Sequence, residues 1–167
     1  MKIGLLTVSD RSSRGERRDE GGPALERRVL EAFPGAEVVR AVVPDDRGAI
    51  GRALTEWADR EGCHLVLTTG GTGLSARDVT PEATRAVLER ELPGFGETMR
   101  HTTLAKTPLS ILSRATAGAR GRTLIVNLPG SPKGAVECLE AVLPAVGHAV
   151  EILLGTIADC AVHHAGR

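Results

Sequence analysis

The chain has 167 residues, of which 41% are hydrophobic, and this length and composition predict one domain over residues 1–167 with a single buried core. Its 21 basic and 21 acidic residues cancel, and only one Trp and two Phe are aromatic, so neither a basic surface nor a stacking platform for nucleic acid is expected. No apolar run approaches the roughly twenty residues of a membrane-spanning helix, and the first residues resemble a strand rather than a signal peptide, which predicts a cytoplasmic protein.

Strands and helices are predicted to alternate through the first half of the chain. Runs of β-forming apolar residues indicate strands, whereas apolar residues spaced three and four positions apart indicate helices. Pro, Asp and Gly residues separate these runs. The predicted elements are a strand at 2–9, a charged loop at 10–22, a helix from Pro23 to Ala32, a strand at 36–43, a helix at 47–62 and a strand at 63–69.

Two helices of the second half share a predicted start, a hydroxyl N-cap followed by proline. Thr80 would cap one helix with Pro81 at its first position, and Ser131 would cap another with Pro132 in the same place. The other predicted elements are a helix at 93–106, a short helix followed by an edge strand or turn at 108–121, a strand and loop at 122–130 and a separate last helix at 144–155.

This alternation predicts a three-layer α/β/α sandwich with a mostly parallel sheet. Ligands of such sheets bind beyond the carboxyl ends of the strands. The loops expected to meet there are 9–13, 44–46, 70–73 and 127–134. These loops are therefore the candidate site.

The glycine-rich loop "TTGGTG" follows the third predicted strand. Glycines at such a turn let backbone N–H groups approach an anion without obstruction by a Cβ atom. The loop has neither the lysine of a P-loop nor the spacing of a dinucleotide-binding fingerprint, which argues against both of those classes. A plain tight turn is the alternative interpretation.

Two carboxylates are predicted beside this loop. Asp78 lies two residues before Thr80, and Asp45 follows the second strand. Asp46 can be explained as the N-cap of the next helix, and Asp78 alone could be a favourable charge near a helix start. Carboxylates beside a phosphate site are best explained by a cation between them, and Mg²⁺ takes one or two carboxylates together with phosphate oxygens. The pattern therefore predicts phosphoryl or nucleotidyl transfer.

The loop "NLPGSPKG" could form a second anion site. Ser131 and the first N–H groups of the following helix could hold a phosphate, and Lys133 would add a positive charge, although an ordinary capped helix explains the same residues. Asn127, the only asparagine, suggests a hydrogen-bonding role or a left-handed turn. Ser9 and Asp10 could likewise bind a ligand or merely close a turn.

The cysteine and histidine residues do not predict a metal or disulfide site. The chain has three cysteines, an odd number, and no C-x-x-C motif. Cys160, His163 and His164 lie together near the end without a matching pair elsewhere, so a zinc site is not expected there. No catalytic triad can be assembled.

Several long motifs, in order, resemble the molybdopterin adenylyltransferases of molybdenum cofactor biosynthesis, the MogA/MoaB family with the related G domain of gephyrin. The resemblance covers nearly the whole chain, and the long first motif is more similar to MogA than to MoaB. The motifs are "VSDRSSRGERRDEGGPAL", "VPDD", "HLVLTTGGTGLSARDVTPEAT", "LPGFGETMR", "ILSR" and "NLPGSPKGAVECLE".

The resemblance implies a reaction in which ATP and molybdopterin give adenylyl-molybdopterin and pyrophosphate with Mg²⁺. It implies that Asp45 and Asp78 are the catalytic acids and hold the metal ion. The nucleotide and phosphate region would be formed by Thr69, Gly70, Gly71, Thr72 and Gly73. The pterin and phosphate side would be formed by Ser9, Asp10, Asn127, Gly130, Ser131, Pro132 and Lys133.

The resemblance also implies a homotrimer and a hand-off of product to a molybdenum-insertion protein. Insertion-type relatives would carry paired acids after the glycine loop, whereas "ARDVT" carries one, which favours adenylylation. The alternatives are a non-catalytic molybdopterin-binding carrier of the MoaB type and a nucleotidyltransferase with another acceptor.

Overall fold

A computed structural model describes residues 1–156. Its strands are β1 (Lys2–Val8), β2 (Glu37–Val43), β3 (Leu65–Thr69), β4 (Arg90–Glu91), β5 (Ala117–Arg120) and β6 (Thr123–Leu128). Its helices are α1 (Asp10–Ser13), α2 (Gly21–Ala32), α3 (Arg47–Asp59), α4 (Thr80–Arg85), α5 (Pro93–Leu104) and α6 (Pro132–Leu154), with a 3-10 turn at Pro108–Leu112.

The six strands form one sheet in the order β2-β1-β3-β6-β5-β4. The first four of these strands are parallel. At one side, β5 pairs antiparallel with β6, and the edge strand β4 pairs antiparallel with β5. The chain runs outward from β1 to β2 and then returns to β3 on the other side of β1. The space between the carboxyl ends of β1 and β3 is therefore a topological switch point, where ligands of open α/β sheets bind.

Apolar residues cover both faces of this sheet, as the alternation of strands and helices predicts. On one face, side chains of α2, α5 and α6 pack in a core that includes Leu25, Met99 and Leu139. On the other face, α3 and α4 pack in a core that includes Leu54 and Ala83. Strands buried on both faces read as continuous apolar runs, which explains the composition of β1 and β3.

The two last predicted helices are one helix, α6, and the predicted break at Pro144 is wrong. Proline inside a helix costs a backbone hydrogen bond. Val142 and Val146, on either side of Pro144, are both buried in the core. The burial of this apolar face against the sheet outweighs the local cost of the proline.

Two further predictions of local structure differ from the observed elements. The loop predicted at 10–22 contains α1, because the Ser9 hydroxyl caps the N–H of Ser12 (3.2 Å), and α2 begins at Gly21. Thr80 is not the N-cap of α4; that position is Val79. The Thr80 hydroxyl instead donates to the carbonyl of Gly70 (2.9 Å), so it stabilises the glycine turn.

Within residues 1–156, no helix combines the length and apolar character needed to cross a membrane.

Candidate active site

A cavity of about 740 Å³ opens at the carboxyl ends of β1 and β3. Its floor is formed by the strand ends and the glycine turn, and one wall is formed by the segment between β1 and α2. The nine predicted site residues that line it are Ser9, Asp10, Asp45, Thr69, Gly70, Gly71, Gly130, Ser131 and Pro132. The four loops expected to converge therefore contribute to one site.

The glycine turn needs its glycines for conformation and for space. Gly70 and Gly71 have φ angles of +109° and +62°, which residues with a Cβ atom rarely adopt. A Cβ atom at Gly70 would collide with the carbonyl oxygen of Val8, and one at Gly71 would collide with the Thr80 hydroxyl. The N–H of Gly70 donates to the carbonyl of Leu128 (3.1 Å), so this amide is not available to an anion.

Asp10 and Asp45 hold each other by two reciprocal hydrogen bonds. The N–H of Asp10 donates to Asp45 Oδ2 (2.8 Å), and the N–H of Asp45 donates to Asp10 Oδ1 (3.1 Å). The guanidinium of Arg77 forms an ion pair with Asp10 Oδ2. The loops after β1 and β2 are thereby joined, with Arg77 reaching them from the loop after β3.

The pKa of the Asp45 carboxyl is raised above its ordinary value. Partial burial is the largest cause, and the carboxylates of Asp10 and Asp78 raise it further. The backbone N–H of Asp10 and the charge of Arg77 oppose this rise without cancelling it. Burial therefore disfavours the charged form of the Asp45 carboxyl, and a cation bound beside it would stabilise that form.

Asp78 follows Arg77, which is paired with Asp10, but Asp78 itself does not line the cavity. Its Oδ2 accepts a hydrogen bond from the N–H of Ser75 (2.7 Å). It also lies against Gly73, where an added Cβ atom would be 2.9 Å from the same oxygen. Arg77, the residue before Asp78, is paired with Asp10, and Asp10 is bonded to Asp45, so the two predicted acids lie at one edge of the sheet.

Arg114 holds the loop that carries Asp78. Its backbone N–H donates to the carbonyl of Thr72 (2.9 Å), and its Nε donates to the carbonyl of Gly73 (2.7 Å). Its two terminal nitrogens contact the carbonyl of Asp78 and the carboxylate of Glu82 at the start of α4. Arg114 thus joins both ends of the loop from Thr72 to Asp78 to the following helix, through its backbone N–H and its side chain together.

The structure places two residues of the glycine-loop motif away from the cavity. The backbone carbonyls of Thr72 and Gly73 accept hydrogen bonds from Arg114, and Thr72 is buried. Only the first part of the motif, from Thr69 to Gly71, lines the cavity.

Asn127 is fully buried (0% exposed), so it does not reach the cavity and is not placed to contact a ligand there. Its side-chain nitrogen donates to the hydroxyls of Thr68 (3.0 Å) and Thr84 (2.9 Å). The prediction of a hydrogen-bonding role is correct, but the bonds join β6 to β3 and α4. Tertiary packing, invisible in the local sequence, directs this side chain inward.

Ser131 lines the main cavity and also a second one of about 490 Å³. The Ser131 hydroxyl caps α6 through the N–H of Gly134 (3.4 Å), as predicted. Lys133 lines only the second cavity, which Lys106 and Arg100 also line. The predicted second anion site therefore adjoins the main cavity and shares Ser131 with it.

The candidate ligands for a divalent cation at this edge of the sheet are Asp45 and Asp78. Asp45 and Asp78 offer carboxylate oxygens, which Mg²⁺ prefers. Within residues 1–156, no three His, Cys, Asp or Glu side chains are grouped to hold a metal ion. A Mg²⁺ ion here would therefore need phosphate oxygens and water to complete its coordination.

The described cysteines do not form a reactive or metal-binding site. Cys63 and Cys138 are free and buried. Burial raises the pKa of the Cys63 thiol to about 11 and also raises the pKa of the Cys138 thiol, so both stay protonated near neutral pH. Cys160, His163 and His164 lie outside the described residues.

Sequence reasoning missed several residues around the cavity. Arg77 and Asp19 line it, and so do the arginines of the 10–20 segment. Arg114 stands in the motif "ILSR", but its role cannot be read from that motif alone. The dense charge of "RSSRGERRDE" was the available signal, because charged residues beside a ligand loop can face the ligand as well as solvent.

Comparisons with known proteins give one consistent family. Residues 4–148 match the family described as "Probable molybdopterin binding domain". A protein of Helicobacter pylori named molybdopterin adenylyltransferase is 47% identical over 154 residues, covering 92% of this chain and 88% of the relative. The Escherichia coli K12 protein of the same name is 48% identical over 151 residues, covering 90% and 77%.

Solved structures agree with this result and with the predicted fold. The molybdopterin biosynthesis enzyme MoaB from Thermus thermophilus is 54% identical, with a TM-score of 0.84, covering 92% of this chain and 96% of that one. The molybdopterin biosynthesis Mog protein from Mycobacterium ulcerans is 38% identical, with a TM-score of 0.81 and coverages of 91% and 98%.

Proposed function

Because this chain belongs to the molybdopterin-binding domain family, we propose that it transfers the adenylyl group of ATP to molybdopterin. The product is adenylyl-molybdopterin, and pyrophosphate is released. The relatives at 47–48% identity named molybdopterin adenylyltransferase support this activity. The observation that carries the proposal is the hydrogen-bonded pair of Asp10 and Asp45, which lies beside a glycine turn at the switch point of the sheet.

In the proposed reaction, a phosphate oxygen of molybdopterin forms a bond to the α-phosphorus of ATP. The bond from that phosphorus to the oxygen bridging to the β-phosphate breaks, and pyrophosphate leaves with the electron pair. Phosphoryl-type transfers depend mainly on positioning and on neutralisation of charge. Asp45 and Asp78 would hold Mg²⁺, and the ion would supply that neutralisation when bound.

The chain's own residues contribute the geometry of this step. The reciprocal bonds between Asp10 and Asp45 fix the acid on one side of the cavity. The turn at Gly70 and Gly71 brings backbone close to the cavity floor without a side chain in the way. Substrates could therefore approach the acids closely from the open side.

Replacement of the acids tests this proposal. We expect Asp45→Asn and Asp78→Asn each to lower pyrophosphate release from ATP, Mg²⁺ and molybdopterin by on the order of 100-fold, because charge stabilisation in the transition state is lost. The measurement is the steady-state rate of pyrophosphate release with protein whose fold is verified by circular dichroism.

Asp46→Asn is the matched control. Asp46 is adjacent to Asp45, but its carboxylate caps α3 through the N–H of Ala49 (2.7 Å), a role that asparagine also fills. Its rate should stay near the wild-type rate. Wild-type rates in both Asp45→Asn and Asp78→Asn would refute the metal site, and tight molybdopterin binding without any pyrophosphate release by the wild type would identify a carrier.

We also propose that the protein is a homotrimer and passes its product to a molybdenum-insertion protein. The end of α5 and the 3-10 turn expose apolar side chains, including Leu109 (68% exposed) and Ile111 (64%), a surface of the kind that oligomers bury. Light scattering of the purified protein would test the trimer. A cytoplasmic location stays a prediction.

A further inference from the structure

The segment at 10–20, here called the arginine arm, forms one wall of the main cavity. Four of its side chains line the cavity, namely Arg11, Arg14, Arg17 and Arg18. All four residues are exposed, so their guanidinium groups can be reached by a ligand that enters the cavity.

The arm is fixed at both ends. At its start, the N–H of Asp10 is bonded to Asp45. At its far end, Asp19 accepts a hydrogen bond from the N–H of Gly22 (3.1 Å) and another from the hydroxyl of Thr7 on β1 (3.1 Å). These contacts tie the arm to β1 and to the start of α2, so its position against the cavity is set by the fold.

The middle of the arm is folded back on itself. The N–H groups of Glu16 and Arg17 both donate to the carbonyl of Arg11 (2.9 and 3.3 Å). This turn brings the backbone of Arg17 to that of Arg11, and the side chains of both, with that of Arg18, line the same cavity.

The arginines of the arm differ in whether they are paired. Arg14 forms an ion pair with Glu16 (Nε–Oε1 2.6 Å). The side chains of Arg11, Arg17 and Arg18 make no hydrogen bond or ion pair with any residue among 1–156. Guanidinium groups bind phosphate oxygens through paired N–H donors, so these three have donors available for a phosphate ligand.

Two acids of the arm itself, Asp10 and Asp19, are bonded to other residues, so neither occupies the guanidinium groups of Arg11, Arg17 or Arg18. Asp10 is paired with Arg77, and Asp19 is bonded to Thr7 and Gly22. Three unpaired guanidinium groups match a ligand with several negative charges, such as a diphosphate, better than a single phosphate.

We propose that Arg17 and Arg18, with Arg11, bind the β- and γ-phosphates of ATP. This inference rests on the proposed adenylyl transfer. When the bond between the α-phosphorus and the bridging oxygen breaks, its electron pair stays on the β-phosphate. Guanidinium donors at that phosphate neutralise the charge that develops there and hold the leaving pyrophosphate.

The test is a set of binding measurements by calorimetry on the full chain. The variant carries both Arg17→Gln and Arg18→Gln. The ligands tested are inorganic pyrophosphate, ATP, AMP and molybdopterin. We expect pyrophosphate and ATP to bind on the order of 10-fold or more weakly, because charge-assisted hydrogen bonds are lost. AMP, which lacks both phosphates, should bind as it does to the wild type.

Two further variants make the result specific. Arg17→Lys with Arg18→Lys keeps the charge but loses the paired donors, so part of the affinity for pyrophosphate should return. Arg27→Gln removes an exposed arginine of α2 that does not line the cavity, and it should change nothing.

The outcomes distinguish the phosphates of ATP from the phosphate of molybdopterin, and they test the role of the arm separately from the adenylyl transfer. Unchanged pyrophosphate binding by the Arg17→Gln and Arg18→Gln double variant would overturn the inference. A loss of affinity for molybdopterin alone would also overturn it, because it would show that the arm binds the pterin phosphate. Weakened pyrophosphate binding by a protein that shows no turnover would support the arm while refuting the adenylyl transfer.

Discussion

Asp45 combines partial burial with two neighbouring carboxylates, and these raise the pKa of its side chain. A carboxyl with a higher pKa in the folded than in the unfolded state binds its proton more tightly when folded. Ionisation of the Asp45 carboxyl therefore has no effect on stability at a pH below its pKa in the unfolded chain, and it lowers stability at a pH above its pKa in the folded protein. We expect Asp45→Asn to raise the urea midpoint of unfolding at pH 7, although it lowers activity.

The dependence on pH distinguishes this cause from a general effect of mutation. The gain in the urea midpoint should shrink as pH falls through the raised pKa of Asp45, because the wild-type carboxyl then becomes neutral as well. Asp46→Asn replaces a helix-cap carboxylate and should show no such gain. A wild type more stable than Asp45→Asn at pH 7 would contradict the prediction.

The loop from Thr72 to Asp78 depends on one side chain from another element. Arg114 contacts the loop at both ends and also contacts Glu82 of α4. Lysine cannot reproduce this planar set of donors. We expect Arg114→Lys to cost about 1–3 kcal/mol in stability and to lower kcat, with faster amide hydrogen exchange confined to residues 72–78.

Arg120→Lys provides a matched control for this element. Arg120 contacts Asp59 (2.9 and 2.6 Å) and the carbonyl of Val87 (2.9 Å), a similar number of partners that do not line the main cavity. We expect Arg120→Lys to reduce stability, while kcat and amide hydrogen exchange in the 72–78 loop stay at wild-type values. An equal effect of both variants on kcat would show that Arg114 has only a general structural role.

The whole molecule is organised around a sheet with one core on each face. Leu5 and Leu6 are adjacent on β1, both are buried, and they point into opposite cores. We expect Leu5→Ala and Leu6→Ala each to lower the free energy of unfolding by about 2–5 kcal/mol, with one cooperative transition, because a central strand couples both cores. Separate transitions followed by fluorescence and circular dichroism would show that the two cores unfold independently.

The sequence by itself determined most of the elements and the edge of the sheet at which the site lies. Apolar runs located β1, β2, β3 and β6 to within two residues, and short-range spacing identified Asp46 and Ser131 as helix caps. These features depend on contacts between residues close in the chain, so they can be predicted from the local sequence pattern.

The tertiary structure decided what depends on residues far apart in the chain. Because of tertiary packing, α6 continues through Pro144 and Asn127 is buried in the interior. For the same reason, the Thr80 hydroxyl donates to the carbonyl of Gly70 and does not cap α4. It also placed Arg114 against the Asp78 loop and the arginine arm against the cavity. The physical reason is that burial and contacts with residues distant in the chain fix the direction and partners of a side chain. The local spacing of residues does not specify which distant residues will contact it.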